Sequence, residues 1–122
     1  MSRKCIMLVD DQQIANFILR KLILKHGPEA DVHDFTAPAD ALRAISELGP
    51  DVIFLDLNMP GIDGWGFLDR MREFGYEQPV VIVTSSTSEV DRSRALGYGN
   101  VVTFCSKPML AQDLGQALAK VG

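Results

Sequence analysis

Short apolar runs alternate with segments of helical periodicity five times along this 122-residue chain. The apolar runs have the length and the flanking Gly, Pro and Asp residues of buried strands. The segments between them repeat apolar residues every three or four positions, which is typical of amphipathic helices. The predicted strands cover residues 4–9, 30–35, 51–55, 79–83 and 101–105, and the predicted helices cover residues 13–26, 37–48, 64–74, 88–96 and 109–120. This alternation predicts an α/β fold, a doubly wound, five-stranded parallel sheet with five helices.

The first four predicted helices have an apolar stripe that should face the sheet. The residues predicted to face inward are Ile14, Phe17, Ile18 and Leu22 in the first helix, Ala41, Leu42, Ile45 and Leu48 in the second, Phe67, Leu68, Met71 and Phe74 in the third, and Val90, Ala95 and Leu96 in the fourth. Gly27 and Pro28 are predicted to end the first helix. Ser88 and Asp91 are predicted to form a capping box at the start of the fourth, whose thin stripe makes it the least firmly docked helix.

The composition is that of one globular domain over residues 1–122. Apolar residues make up 47% of the chain and charged residues 23%, which is ordinary for a folded domain. A formal net charge of -4 makes direct nucleic-acid binding unexpected. The first apolar stretch is too short for a signal peptide or a membrane span, so a cytoplasmic protein without membrane contact is expected. Cys5 and Cys105 lie in predicted strands and are interpreted as core residues, not a disulfide.

Three aspartates follow two of the predicted strands. Asp10 and Asp11 come directly after residues 4–9, and Asp56 comes directly after residues 51–55. In an open parallel sheet the carboxyl ends of the strands share one edge, where ligands bind. Three carboxylates there would repel one another without a cation such as Mg²⁺, and one of them could then attack a phosphoryl group. Helix N-caps are the alternative interpretation of Asp10 and Asp11, but that does not account for Asp56.

A hydroxyl and an amine are predicted to lie at the same edge. Thr84 and Lys107 each follow an apolar strand. A lysine there can neutralise a charged acyl phosphate, although a solvated lysine at a strand end is the alternative. Pro108 restricts Lys107 to extended geometry and is a candidate for a cis peptide bond. In the loop of residues 57–64 after Asp56, Pro-Gly and Asp-Gly pairs are typical of turns.

Taken together, these residues resemble the receiver domain of two-component response regulators over the whole chain. The resemblance rests on an ordered set of motifs: Asp10-Asp11, Asp56 with Met-Pro-Gly-Ile-Asp-Gly at residues 59–64, Thr84, and Lys107-Pro108. Each motif is common by itself, but the ordered set at this spacing is highly specific. The family implies a flavodoxin-like sheet with strand order 2-1-3-4-5.

The resemblance also implies a role for each residue of the candidate site. Asp56 is the expected phosphoacceptor, and Lys107 is expected to pair with the phosphoryl group. Asp11 is the expected direct Mg²⁺ ligand, while Asp10 is expected to act through a water molecule. Asp56 itself and the backbone carbonyl of Asn58 complete the metal site that the family implies.

Two further residues are expected to form the conformational switch. Thr84 is expected to move towards a phosphate oxygen, and Phe104 to reorient as it does. Many relatives have a tyrosine where this chain has Phe104, so a readout that needs the tyrosine hydroxyl is not expected here. Ser85 stands where Ala or Gly is common, and its hydroxyl could alter access to the phosphoryl group without abolishing phosphorylation.

The expected function is that of a stand-alone phosphoacceptor switch. It is not expected to be an enzyme, although it takes part in its own phosphorylation and dephosphorylation. A sensor histidine kinase or phosphotransfer protein is the expected donor, and Mg²⁺ the expected cofactor. The surface of residues 88–120 is expected to bind a downstream protein. Because no effector domain follows, output is expected through protein contact, unless the chain is part of a longer regulator.

Two other classes of protein stay open at this point. An Mg²⁺-dependent phosphatase with an aspartate nucleophile combines similar residues on an α/β sheet. Such enzymes typically need a second acid two residues after the nucleophile, where this chain has Asn58, and 122 residues leave no room for a substrate cap. A binding module that keeps the fold without phosphorylation is the other alternative, and the intact set of site residues argues against it.

Overall fold

The computed structural model describes residues 4–27 and 29–121, in which five strands alternate with five helices. The strands are β1 (Cys5–Val9), β2 (Asp31–Phe35), β3 (Val52–Leu55), β4 (Val80–Thr84) and β5 (Val101–Ser106). The helices are α1 (Gln13–His26), α2 (Pro38–Leu48), α3 (Gly64–Phe74), α4 (Glu89–Leu96) and α5 (Ala111–Val121). All predicted elements are therefore present, with bounds close to the predicted ones. Pro28, predicted to help end the first helix, lies outside the described residues.

The five strands form one parallel sheet in the order β2-β1-β3-β4-β5, which confirms the predicted fold. β1, β3 and β4 occupy the middle because almost every residue in them is apolar, and such strands can be covered on both faces. β2 contains two aspartates and a histidine and lies at one edge, in agreement with its weaker apolar pattern. β5 forms the other edge.

Helices cover both faces of this sheet. Successive side chains of a strand point to opposite faces, so β1 contributes Met7 and Val9 to one apolar cluster and Ile6 and Leu8 to the other. The first cluster includes buried residues of α2, α3 and α4, and the second includes buried residues of α1 and α5. The loops at the carboxyl ends of the strands lie together at one edge of the sheet, between the two layers of helices.

The buried face of α1 differs from the predicted one. Three residues predicted to face inward are largely exposed instead: Ile14 at 64%, Phe17 at 50% and Ile18 at 61%. The buried residues of α1 are Asn16 and Ile23. Asn16 can point inward because its side-chain amide donates hydrogen bonds to two backbone carbonyls. The predicted face of α1 was therefore partly wrong, because Leu22 packs against the apolar cluster of α1 and α5 while the other three predicted residues do not.

Two other predicted inward faces were also partly wrong. Phe74 is 58% exposed and packs its ring against Tyr76, with 5.8 Å between the ring centroids. Val90 is 77% exposed and Leu96 is 46% exposed. Ala95 is the one buried residue among the eight of α4. This helix thus buries even fewer apolar side chains than its thin apolar stripe predicts.

The helix ends follow the local sequence. Gly49 and Gly75 end α2 and α3 with φ of 54° and 74°, in the left-handed region where glycine is favoured. The Ser88 hydroxyl oxygen accepts a hydrogen bond from the Asp91 N–H at 3.3 Å, which confirms Ser88 as the cap of α4. The second half of the predicted capping box is not formed, because the Ser88 N–H donates to the Ser86 hydroxyl instead. Among the described residues, no helix has the length and apolar character needed to cross a membrane.

Candidate functional site

The carboxyl ends of four strands bring the predicted site residues together. Asp10 follows β1, Asp56 follows β3, Thr84 ends β4, and Lys107 follows β5. Carboxylate oxygens of Asp10, Asp11 and Asp56 lie within 4.8 Å of one another. Asp10 and Asp56 are only 7% and 5% exposed. Parallel pairing of the strands therefore gathers acidic groups from distant parts of the chain into one partly buried cluster.

Lys107 supplies a cation to this cluster. Its ammonium group donates to Asp10 Oδ2 at 2.6 Å and to Asp56 Oδ2 at 3.4 Å. Its backbone N–H donates to the Thr84 carbonyl at 2.7 Å, which anchors the start of the β5–α5 loop to β4. The peptide bond between Lys107 and Pro108 is cis. One ammonium group among three carboxylates leaves the cluster negatively charged, so a further cation would be stabilised there.

The loop after β3 holds the Asp56 carboxylate and brings α3 close to it. The backbone N–H of Asn58 donates to Asp56 Oδ1 at 3.2 Å. Gly61 has a φ of 76°, as its turn requires. Gly64 is needed for a different reason, because a Cβ atom there would lie 2.5 Å from Leu57 Cα and 2.7 Å from the Asp56 carbonyl oxygen. The start of α3 thus packs directly on the backbone that carries Asp56.

Thr84 is fully buried at the end of β4. Its hydroxyl oxygen accepts a hydrogen bond from Asn58 Nδ2 at 3.2 Å and another from the Ser86 N–H at 3.3 Å. A hydroxyl has two acceptor positions and one proton, so these two contacts leave the proton for donation. The Ser86 hydroxyl in turn donates to Asp91 Oδ2 at 2.8 Å, in the first turn of α4. Thr84 is therefore linked both to the loop after Asp56 and to α4.

Burial and charge set the protonation of the site. Burial is the main reason that the pKa of Asp56 is raised above its ordinary value, and Asp10 adds to this. The Asn58 N–H and Lys107 oppose the rise without cancelling it. For Lys107, burial lowers the pKa, but the hydrogen bond and charge of Asp10, together with Asp56, outweigh burial and raise it. Lys107 therefore stays protonated at neutral pH. The raised pKa means that the ionised form of Asp56 is less favoured in the folded chain than in water.

The oxygen-rich donor set fits Mg²⁺ better than a softer metal ion. The three groups that can converge on one ion are the carboxylates of Asp10, Asp11 and Asp56. Hard divalent cations prefer such oxygen ligands, and Mg²⁺ commonly uses one or two carboxylates together with water and phosphate oxygens. The excess of carboxylates over ammonium groups gives the electrostatic reason for such an ion.

Neither Asp10 nor Asp11 is the N-cap residue of α1, which was the alternative interpretation of these two aspartates. The cap residue of α1 is Gln12, and its side chain makes no capping hydrogen bond. Asp10 Oδ1 accepts from the Gln12 N–H at 2.9 Å, so its other oxygen stays directed at Lys107. Asp10 therefore organises the turn before α1 and belongs to the acidic cluster at the same time.

Asn16 supports the site in a way that sequence reasoning missed. It is 1% exposed, and its side-chain amide donates to the Asp10 carbonyl at 3.0 Å and to the Phe35 carbonyl at 3.1 Å. It thereby ties together the ends of β1 and β2. The available signal was an asparagine in the second turn of a helix, where this residue type is a weak helix former.

Phe104, the predicted aromatic switch residue, is buried in β5 at 7% exposure. It belongs to the apolar cluster that includes Ala95 of α4. The guanidinium carbon of Arg92 in α4 lies 5.9 Å from the Phe104 ring centroid, and Arg92 also donates to the Phe104 carbonyl at 3.4 Å. Phe104 therefore has its inward orientation in this structure and contacts the helix that follows Thr84.

Comparison with known proteins gives matches along almost the whole chain. Residues 6–119 match the family model of the response regulator receiver domain. The chain is 37% identical over 111 residues to the cyclic di-GMP phosphodiesterase response regulator RpfG of Xanthomonas campestris, covering 89% of this chain and 29% of that protein. It is 33% identical over 94 residues to the transcriptional regulatory protein PcoR of Escherichia coli, covering 77% of this chain and 41% of that protein. The chain thus spans less than half the length of these curated relatives.

Solved structures show the same fold. A two-component response regulator from Cytophaga hutchinsonii has a TM-score of 0.87 at 27% identity, with 99% of this chain and 98% of that chain covered. The chemotaxis protein CheY4 of Vibrio cholerae has a TM-score of 0.86 at 22% identity, with 99% and 100% covered. The strand order, the acidic cluster at the strand ends and the family match agree with one another. The chain belongs to the receiver domain family of two-component response regulators.

Proposed function

We propose that Asp56 accepts a phosphoryl group and that this chain acts as a phosphorylation-controlled switch. The observation that carries the proposal is the position of the Asp56 carboxylate. It is 5% exposed, lies 3.4 Å from the Lys107 ammonium group, and clusters with Asp10 and Asp11. Among the three carboxylates, Asp56 is the one on the β3–α3 loop, whose Asn58 contacts both Asp56 and Thr84.

In the proposed reaction, a carboxylate oxygen of Asp56 attacks the phosphorus atom of a phosphohistidine on the donor protein. The new P–O bond forms as the P–N bond breaks, and the bonding electron pair stays on the imidazole nitrogen, which is protonated as it leaves. Lys107 already reaches Asp56 and neutralises charge on the transferred oxygens. Thr84 has a proton to donate to one of these oxygens once it turns towards them.

We propose that Mg²⁺ is the cofactor of this transfer. Asp11 and Asp56 would hold it directly and Asp10 through a water molecule, with the backbone carbonyl of Asn58 completing the site that the family implies. When bound, the ion supplies positive charge that offsets the carboxylates and the phosphoryl oxygens. Its binding would also favour ionised Asp56, the form that attacks phosphorus, and so reverse the effect of burial on the pKa.

The donor protein is proposed to be a sensor histidine kinase or a phosphotransfer protein that docks over α1. Ile14, Phe17 and Ile18 form an exposed apolar surface on this helix. A cavity of about 200 Å³ is lined by Ile18, and it is also lined by Asp56 and Lys107. An exposed apolar surface next to a reactive site is suited to binding a donor protein whose phosphohistidine must reach that site. Both proteins are expected to act in the cytoplasm.

The output is proposed to be a change in the surface of residues 88–120, which then binds a downstream protein. Two contacts support this surface. Thr84 is linked through Ser86 to Asp91 in α4, and Phe104 lies against Arg92 of the same helix. A phosphoryl group that draws Thr84 away would therefore change the contacts of α4.

The experiment that tests this function is incubation with Mg²⁺ and acetyl phosphate, followed by intact-mass measurement. Wild type is expected to gain the mass of one phosphoryl group, and Asp56→Asn is expected to gain none. The matched control is Asp31→Asn, which alters a 57% exposed side chain on the distant β2 edge and should be phosphorylated like wild type.

Other outcomes of the same experiment would overturn the proposal. Release of phosphate without any phosphorylated protein would favour an enzyme with an aspartate nucleophile. Unmodified protein with no phosphate release would favour a binding module that does not use phosphorylation. A phosphoryl group on Asp56→Asn would show that another residue is the acceptor.

A further inference from the structure

The position of α4 depends very little on apolar packing. Ala95 is the one buried residue of this helix, and Val90 and Leu96 are 77% and 46% exposed. A helix with so little buried apolar surface must be held by other contacts or fluctuate. Besides the contacts of Arg92 with Phe104 in β5, two sets of polar and aromatic contacts attach α4 and the loop after it to the rest of the fold.

The first set is a stack of alternating residues from α3 and from the α4 region. The guanidinium carbon of Arg94 lies 4.1 Å from the Trp65 ring centroid. The Trp65 ring stacks on Tyr98 with 6.4 Å between centroids and 24° between planes. The guanidinium carbon of Arg72 lies 4.7 Å from the Tyr98 centroid. We call these four residues, Arg94, Trp65, Tyr98 and Arg72, the stacked ladder.

A short hydrogen bond fixes the middle of the stacked ladder to α3. The Tyr98 hydroxyl donates to Asp69 Oδ1 at 2.7 Å, and Arg72 donates to the same oxygen at 3.1 Å. The hydrogen bond from Tyr98 is the main reason that the pKa of Asp69 is lowered. Burial, followed by this same bond, raises the pKa of Tyr98. Trp65, Asp69 and Arg72 are spaced at i, i+4 and i+7, so one face of α3 presents all three to the α4 region.

The second set of contacts joins the first turn of α4 to Thr84. The Ser86 N–H donates to the Thr84 hydroxyl, and the Ser86 hydroxyl donates to Asp91. The Ser86 hydroxyl also accepts from the Ser88 N–H at 3.2 Å. Asp91 and Arg94 are three residues apart and therefore lie on the same side of the helix. A displacement of Thr84 would thus act on the turn of α4 that carries Arg94.

We propose that the stacked ladder is a latch that holds α4 against α3 in the unphosphorylated chain, and that phosphorylation opens it by separating Arg94 from Trp65. This inference rests on the proposed phosphorylation of Asp56. When Thr84 turns to a phosphoryl oxygen, its hydroxyl leaves the Ser86 N–H. Ser86 is then free to shift, and with it Asp91 and the first turn of α4. Few apolar contacts oppose the movement, because α4 buries little apolar surface.

Trp65 is the single tryptophan of the chain, so its fluorescence reports the latch directly. The test is to record Trp65 emission and intact mass in the same samples, before and after Mg²⁺ with acetyl phosphate. Wild type is expected to gain one phosphoryl group and to change its emission. Ser86→Ala is expected to gain the phosphoryl group to the same extent with little change in emission, because the link from Thr84 to Asp91 is cut.

Hydrogen exchange tests the latch without any phosphorylation. Arg94→Gln should exchange the backbone amides of residues 89–96 about two to five times faster than wild type, as expected for the loss of one exposed cation–π contact. Arg94→Lys keeps a cation near the ring but loses the planar guanidinium, so its exchange should lie between that of wild type and that of Arg94→Gln. Arg43→Gln, a change to an exposed arginine of α2, is the matched control and should leave the exchange of α4 unchanged.

The results separate this inference from the proposed function. Wild type that gains no phosphoryl group overturns the proposed function and, with it, the opening step. Wild type that is fully phosphorylated with unchanged Trp65 emission overturns the latch alone. Exchange in Arg94→Gln equal to that of wild type also overturns the latch, whatever the result with acetyl phosphate.

Discussion

The side-chain amide of Asn58 donates a hydrogen bond to the hydroxyl oxygen of Thr84 at 3.2 Å. Asn58 lies in the loop after β3 and Thr84 ends the neighbouring strand β4, and the Asn58 backbone N–H also donates to Asp56. The hydroxyl is therefore held by the same loop that holds the proposed phosphoacceptor. If Thr84 turns towards a phosphoryl group on Asp56, it must give up the amide of Asn58.

Removal of the Thr84 hydroxyl should separate phosphorylation from its structural response. Thr84→Ala is expected to accept a phosphoryl group at Asp56 but to lose the NMR shift changes of residues 88–108. Because two part-buried hydrogen bonds, from the Asn58 amide and the Ser86 N–H, are lost, unfolding should become easier by about 1–3 kcal/mol. Thr87→Ala, an exposed threonine of the same loop, is the control and should behave like wild type. Equal shift changes in phosphorylated Thr84→Ala and wild type would contradict this coupling.

The raised pKa of Asp56 predicts that stability depends on pH. The folded chain binds the Asp56 proton more tightly than the unfolded chain does. This stabilising contribution is present below the ordinary aspartate pKa of about 4 and is lost as pH rises through the raised pKa. Asp56→Asn should therefore melt at a higher temperature than wild type at pH 7 without Mg²⁺. The difference should shrink as pH falls towards 4, and a mutant that is less stable at every pH would contradict the prediction.

The two aspartates after β1 should contribute unequally to Mg²⁺ binding. One Asp10 oxygen accepts from Lys107 and the other accepts from Gln12, so Asp10 is already engaged. Asp11→Ala is expected to weaken Mg²⁺ binding by about tenfold or more, and more than Asp10→Ala does. Calorimetric titration measures both affinities. Undiminished affinity in both variants would count against a metal site at this cluster.

Gly64 should be intolerant of a side chain although its backbone is not left-handed. In Gly64→Ala the new Cβ atom would meet the backbone of Leu57 and Asp56. The start of α3 must then move, at a cost of about 1–3 kcal/mol in the free energy of unfolding, and phosphorylation at Asp56 should slow. Gly99→Ala is the matched control, because its Cβ would meet nothing within 4 Å. Urea unfolding that shows equal stability for the two variants would refute the close approach.

Asn16 should matter for stability as much as an apolar core residue does. Asn16→Ala removes the side-chain amide that donates to the backbone carbonyls of Asp10 and Phe35, and should cost about 1–3 kcal/mol for the two lost hydrogen bonds. Gln13→Ala alters an exposed residue of the same helix and should change stability by less than about 0.5 kcal/mol. Denaturant titration of both variants is the measurement. A loss in Asn16→Ala no larger than that of the control would show that water replaces the amide.

The sequence predicted all strands, all helices and the edge of the sheet where the site lies. Continuous apolar runs identified β1, β3 and β4 as central strands, and the polar residue after each run identified Asp10, Asp56 and Thr84. These predictions succeeded because they depend on neighbours along the chain. The strand order came from the family resemblance and not from the apolar pattern.

Tertiary structure alone decided how the site residues contact one another. Asn58 and Thr84 are 26 positions apart, and Asn16 and Phe35 are 19 apart. The apolar periodicity of α1 gave no indication that Asn16 is buried, because its burial depends on two backbone carbonyls that accept from its side-chain amide. An apolar pattern indicates which residues are buried. This is enough to predict whether a segment is a strand or a helix and roughly which face it buries. Hydrogen bonds and ring contacts also need distance and direction, which are set only when the strands and helices have packed.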